Sequence, residues 1–269
     1  MRSNYKFLDI SNLGNDKKRN IFVAISYNGS KYHGWQVQKN AVTVQEVFQT
    51  ALEKIINETV CIKGCSRTDT GVHANMYVLN FKTNSRINCE NLIYALNHFL
   101  PNDISAIECK EVSKNFHARY SCKGKEYIYK IWNNRIRNPF LDEMVLHYWY
   151  KLDEKILDES AKKFIGKHDF TSFATLDNRD TENMARTIYD FKVTRKNDMI
   201  EIKVSADGFL YNMVRIMVGT LLRVAQGKIK KEDILGIINA QDRSKAGPTA
   251  APFGLYLNKV FYDETEFEK

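Results

Sequence analysis

Three side chains able to do acid–base or nucleophilic chemistry fall within seven residues: Arg67, Asp69 and His73. They lie in the stretch Gly64-Cys65-Ser66-Arg67-Thr68-Asp69-Thr70-Gly71-Val72-His73-Ala74, whose glycines permit the backbone angles that a sharp turn demands. A carboxylate in such a loop acts as a covalent nucleophile or passes a proton. The same residues also make an ordinary turn, because Asp and Thr bond their own backbone and Gly accepts positive φ. Residue types alone leave both readings open.

For chemistry, a rigid frame must present the loop. Val60 to Lys63 and Met76 to Phe81 read as strands on either side of it, and Ile21 to Tyr27 as a strand before it. Thr43-Val44-Gln45-Glu46 is a capping box opening a helix through Val44, Val47, Phe48, Ala51, Leu52 and Ile55. Asn88 caps a second helix, with Leu92, Ala95, Leu96 and Phe99 inward and Pro101 as its stop. Ile104 to Cys109 completes a β-α-β-β-α-β unit, which is ferredoxin-like and shared by RRM modules. The plan repeats more loosely afterwards. A strand from Lys125 to Trp132 is followed by a helix from Glu154 to Ile165 and strands at Thr187 to Thr194 and Ile200 to Ser205. A helix from about Leu210 to Val224, a short helix near Ile234 and a strand from Leu255 to Phe261 follow. The expected fold is therefore α+β: two ferredoxin-like, RRM-like halves with mainly antiparallel sheets, flanking a basic cleft suited to RNA. Residues 1–19 are expected to be an N-terminal extension, 20–118 the half carrying the Asp69 loop, and 119–269 the second half. The polar stretch Thr175 to Arg186 reads as an inserted loop, mobile or in contact with substrate.

Forty Lys and Arg against 32 Asp and Glu give a net charge of +8, which favours an anionic partner. From Lys110 to Arg137, eight basic residues against two acidic ones are interleaved with Phe116, Tyr120, Tyr127, Tyr129 and Trp132. Cations for phosphates and rings for unstacked bases suit RNA, although a solvated basic face over core aromatics has the same composition. Five cysteines without a C-x-x-C pair suggest reduced thiols rather than a disulfide framework or a zinc ribbon. No apolar run approaches the ~18 residues of a membrane span, and the first residues lack a signal-peptide core, so a soluble, cytoplasmic protein is expected. There is no G-x-G-x-x-G after a strand, no P-loop and no convincing metal cluster.

The Asp69 stretch resembles the R-T-D-x-G-V-H signature of the tRNA pseudouridine synthase A (TruA) family. Further stretches fit the same family in the same order: Tyr27 to Gln36, Phe116 to Arg119, Lys125 to Tyr129, Gly166 to Phe173, Phe209 to Arg215 and Ala246 to Pro252. Together they cover nearly the whole chain. The resemblance implies conversion of uridine to pseudouridine at positions 38, 39 and 40 of the tRNA anticodon arm, without a cofactor or metal, by a homodimer in which one tRNA touches both subunits. It makes Asp69 the catalytic carboxylate. Arg215 becomes its partner, keeping it ionised in a closed pocket through a bidentate fork. It makes Tyr127 the ring that stacks on the uracil and aids proton transfer, and Arg67 the group that holds the flipped nucleotide or fills its place. His73 is expected to brace the loop, and His33, His117 and His168 to serve loop structure or phosphate contact. Without the family, Arg215 also reads as an exposed helical arginine and Tyr127 as a core tyrosine. One departure is Cys65-Ser66, where the family commonly has a small pair such as Gly-Gly, Ala-Gly or Ser-Ser. It leaves room for a paralogue acting on other RNA sites. Two further classes remain: an RRM-like RNA-binding protein without chemistry, and a hydrolase that releases uracil.

Overall fold

The computed structural model describes residues 18–175 and 183–264. Most of the stretch expected as an extension, and most of the polar loop expected between Thr175 and Arg186, therefore lie outside the described residues.

The first half runs β1 (Arg19–Tyr27), α1 (Val44–Ile56), β2 (Lys63–Gly64), β3 (His73–Thr83), α2 (Cys89–Phe99) and β4 (Ile104–Val112). Its strands take the order β4-β1-β3, with β2 paired to β3, the ferredoxin-like arrangement that the element order implies. The second half runs β5 (Gly124–Trp132), β6 (Leu146–His147), α3 (Glu154–Ala161), β7 (Gly166–Asp169), β8 (Ala185–Lys196), β9 (Met199–Ala206), α4 (Met213–Ala225), α5 (Ile234–Ala240) and β10 (Leu255–Phe261). Its order, β10-β5-β9-β8, repeats the first, with β7 added at the edge.

The α+β class and the antiparallel character are as expected, but the halves do not keep separate sheets. They share one ten-stranded sheet. β10 joins them, antiparallel to β5 and parallel to β3 at Tyr256↔His73 and Leu257↔Ala74. β3 is long enough to serve two partners: its start pairs with β10, while Leu79 and Asn80 pair with β2. An unpaired strand edge is a row of unsatisfied amides and carbonyls, and the junction pairs the start of β3 with part of the β10 edge. It also sets the Asp69 loop, which ends where β3 begins, at the seam between the halves.

Local chemistry explains where several elements start and stop. The Thr43 hydroxyl accepts from the Glu46 amide, and the Asn88 side chain from the Asn91 amide, so both helices begin at the expected caps. The strand expected from Val60 to Lys63 is confined to Lys63–Gly64, paired with Asn80 and Leu79 of β3. α3 ends at Ala161 and tightens into a 3-10 turn over Lys162–Phe164 before Gly166. Phe99 is exposed rather than inward, with Lys54 Nζ 4.6 Å above its ring.

The helix expected from about Leu210 begins later, at Met213, as α4. It is buried on nearly every side, Arg215 and Arg223 being exceptions. The cause is the strap Ala246–Pro252, which crosses the helix at Gly219, where a Cβ would lie 1.7 Å from the Pro248 carbonyl oxygen. The Gly247 amide donates to Thr220 Oγ1 at 2.9 Å, and the Tyr129 hydroxyl to the Ala251 carbonyl at 2.8 Å, tying the strap to α4 and β5.

Candidate active site

The Asp69 loop is fixed at its root by bonds to the segment after β1. The Trp35 amide donates to the Thr68 carbonyl (3.2 Å) and the Gly71 amide to the Tyr32 carbonyl (3.2 Å), while within the loop the Val72 amide donates to the Asp69 carbonyl (3.1 Å). Thr68 Oγ1 and the Tyr27 hydroxyl share a buried bond of 2.8 Å. Two glycines are required by geometry. Gly34 has φ +79° and would set a Cβ 2.3 Å from the Thr68 carbonyl oxygen, and Gly71 has φ +76° against Pro252.

Beneath the loop, the Cys65 thiol is fully buried, and burial pushes it up to about 11, so it is an inert thiol at neutral pH. All five cysteines are free.

Arg215, in the first turn of α4, meets Asp69 from the other half. Its Nη1 lies 3.0 Å from Asp69 Oδ2, with 16% of the Arg215 side chain and 27% of the Asp69 side chain exposed. The expected bidentate fork is absent. The guanidinium instead spreads over three acceptors: Nη1 also donates to Asn212 Oδ1 (2.8 Å), and Nε to the Ala250 carbonyl (2.8 Å). Ala250 is bonded a second time, its amide donating to the Arg215 carbonyl at 3.1 Å, so the strap holds the arginine at both ends. Among the described residues, Asp69 Oδ1 and Arg215 Nη2 take no hydrogen bond.

Tyr127, on β5, is 8% exposed and meets Phe209 edge to face at 5.1 Å and 86°. Burial, with the neighbouring Cys65 and Asp69 adding to it and a hydrogen bond with the Ser66 side chain opposing it, pushes its hydroxyl well up from the ordinary tyrosine value, so it stays protonated. Arg67 is exposed and has no hydrogen bond or ion pair among the described residues. His73 is buried. Its Nδ1 accepts from the Gly29 amide (3.0 Å) and its Nε2 faces the Phe253 carbonyl (2.9 Å), which makes it a neutral brace. His117 holds a turn, its Nδ1 accepting from the Arg119 amide at 3.1 Å. Of the rings interleaved with the basic run, Phe116, Tyr127 and Tyr129 are core residues, while Tyr120 stands 78% exposed. Burial thus claims Phe116 and Tyr129, which composition alone offered to RNA, whereas Tyr127 lies within reach of the Asp69 charge. Asn212, Thr175 and Ala250 were not singled out from sequence, since a neutral amide, a hydroxyl and a backbone carbonyl carry no distinctive spacing. No group of three or more His, Cys, Asp or Glu among the described residues is placed to hold a metal ion.

A carboxylate held by a guanidinium across the seam of a doubled ferredoxin-like sheet, with one oxygen unbonded among the described residues, is a candidate enzyme site. The comparisons say which kind. The family described as tRNA pseudouridine synthase matches residues 23–121 and 160–263. The tRNA pseudouridine synthase A of Thermoanaerobacter sp. (strain X514) is 48% identical over 244 residues, covering 91% of this chain and 100% of the relative. The protein of that name from Ruminiclostridium cellulolyticum is 46% identical over 245 residues, again 91% and 100%. The tRNA pseudouridine synthase A 2 of Clostridium perfringens is 48% identical over 245 residues with the same coverage. The chain belongs to the tRNA pseudouridine synthase family, and it is an isomerase that converts uridine to pseudouridine in tRNA. No helix of the described residues is long and apolar enough to cross a membrane.

Proposed function

We propose that the uridines converted are those at positions 38, 39 and 40 of the anticodon stem-loop, and that Asp69 is the carboxylate that acts on them. The observation that carries the reading is the Asp69–Arg215 pair: one oxygen is tied at 3.0 Å, and the other is without a partner among the described residues. The reaction breaks the bond from ribose C1′ to N1 and forms one from C1′ to C5. The proton lost at C5 is balanced by one gained at N1, so no redox partner enters. Asp69 Oδ1 serves as nucleophile toward base or sugar while Arg215 Nη1 holds Oδ2. Tyr127 supplies a ring for the uracil and a protonated hydroxyl. A target nucleotide must first leave the stack, at about a few kcal/mol, and the unengaged Arg67 holds it or takes its place.

The reading extends to a basic cleft between the halves, a homodimer and a cytoplasmic setting. Arg119 lies 5.9 Å over the exposed Tyr120 ring between β4 and β5, a surface suited to RNA. Ile136, Phe140, Trp149 and Tyr150 are exposed between β5 and α3, apolar surface of the kind a second subunit covers. The test is Asp69→Asn with an anticodon-arm transcript. Pseudouridine formation is expected to fall by at least about 10⁴-fold with tRNA affinity retained. Activity within tenfold of wild type refutes the assignment, and product at other positions refutes the site choice.

A further inference from the structure

Asn212 immediately precedes α4, the position from which an Asn side chain ordinarily caps the first amides of a helix. Here it does not. Its backbone is left-handed (φ 61°, ψ 5°) and its side chain makes no cap bond, although its carbonyl still accepts from the Ile216 amide at 3.0 Å. The left-handed turn directs the amide to the ion pair instead. Oδ1 accepts from Arg215 Nη1 at 2.8 Å, and Nδ2 donates to Thr175 Oγ1 at 3.0 Å. Arginine has donors only, so the amide oxygen must face it and the amide nitrogen must face the threonine. The Thr175 amide in turn donates to the Tyr211 carbonyl at 3.0 Å, closing a small ring around the helix start.

The nitrogen that Asn212 grips is the one that holds Asp69. With one Nη1 hydrogen directed to each acceptor, the amide sets the rotation of the guanidinium plane and hence the direction in which the free Asp69 oxygen points. A neutral acceptor is the apt choice, since a second carboxylate would compete with Asp69 for the charge. A non-glycine residue held in the left-handed region at a helix start, with its usual capping role given up, is the kind of local cost that accompanies function.

We propose that Asn212 is a positioning residue for the isomerisation, orienting Arg215 on Asp69, and that Thr175 acts through it by fixing the amide. This rests on Asp69 and Arg215 being the catalytic pair. The test measures single-turnover rate, tRNA affinity and melting temperature for Asn212→Gly, Thr175→Val and the double variant, with Asp69→Asn in parallel. Glycine keeps the left-handed backbone without strain and deletes both side-chain bonds. Asn212→Gly is expected to lower the rate by about tenfold to a hundredfold, leaving tRNA affinity within about twofold. Thr175→Val is expected to cost about threefold alone and nothing further in the double variant, because its effect passes through Asn212. A wild-type rate in either single variant, or multiplicative losses in the double, overturns the proposal. Should Asp69→Asn stay active, the catalytic reading fails and the proposal with it. An inactive Asp69→Asn beside an unimpaired Asn212→Gly overturns the positioning role alone.

Discussion

Two arginines of the second half each grip a carboxylate, and they use their donors differently. Arg195, on β8, is engaged at every nitrogen: Nε donates to Glu154 (2.9 Å), Nη2 to Asn133 Oδ1 (2.9 Å) and the Leu152 carbonyl (2.7 Å), and Nη1 to the Asn197 carbonyl (3.4 Å). It ties β8 to the start of α3 and to the segment before it. Arg215 binds three acceptors through two nitrogens and leaves Nη2 unengaged among the described residues, as Asp69 leaves Oδ1. A closed network contributes to stability; an open one retains capacity for a substrate. The contrast is more informative than the ion pairs themselves, since pairs with one or both partners exposed are worth little on average.

The same substitution at both positions gives the largest test of this contrast. Arg215→Lys is expected to lower kcat by about 10²- to 10³-fold with the melting temperature nearly unchanged, because one ammonium cannot meet Asp69, Asn212 and Ala250 together. Arg195→Lys should do the reverse, lowering the melting temperature by a few degrees and leaving kcat within about twofold. Thermal melts and saturating-tRNA kinetics on the two variants read both effects. If Arg215→Lys loses stability rather than rate, the distinction between open and closed networks is wrong.

The contrast also marks how far the sequence could be read. The Asp69 loop was legible because residues that turn a chain and residues that do chemistry coincide there. The two ferredoxin-like units followed from helix caps at Thr43 and Asn88 and from strand periodicity. Arg215 was reachable through the resemblance, but its geometry was not, since the acceptors that divide its fork are an amide, a backbone carbonyl and one carboxylate oxygen. The merger of the sheets was hidden for a similar reason. Edge pairing of β10 with β3 depends on backbone groups at Tyr256 and His73, and side-chain patterns do not report it. Burial of Phe116 and Tyr129 beside the exposure of Tyr120 was equally invisible, because a ring in the core and a ring for a base are the same residue.

The smallest expected effect concerns His73, whose two ring nitrogens join segments from the two halves, Gly29 and Phe253. The ring stacks on Tyr256 at 4.5 Å, and Lys130 Nζ lies 4.1 Å from the centre of that tyrosine. Burial, with the Lys130 charge adding to it, holds the imidazole below its ordinary value of 6.5, against the raising pull of the Phe253 carbonyl. Protonation would also remove the acceptor that Gly29 uses. The unfolded chain therefore takes up this proton first as pH falls through 6.5, and the folded state loses stability from there down to the lowered folded value. Above 6.5 the contribution is fully present. For one proton the slope is at most about 1.4 kcal/mol per pH unit. Denaturant unfolding at pH 7.5 and 5.5 should show a larger loss in wild type than in His73→Gln, which does not titrate. Equal losses would mean that the ring is already charged or solvated in the folded protein, and that the brace between the halves is made of backbone alone.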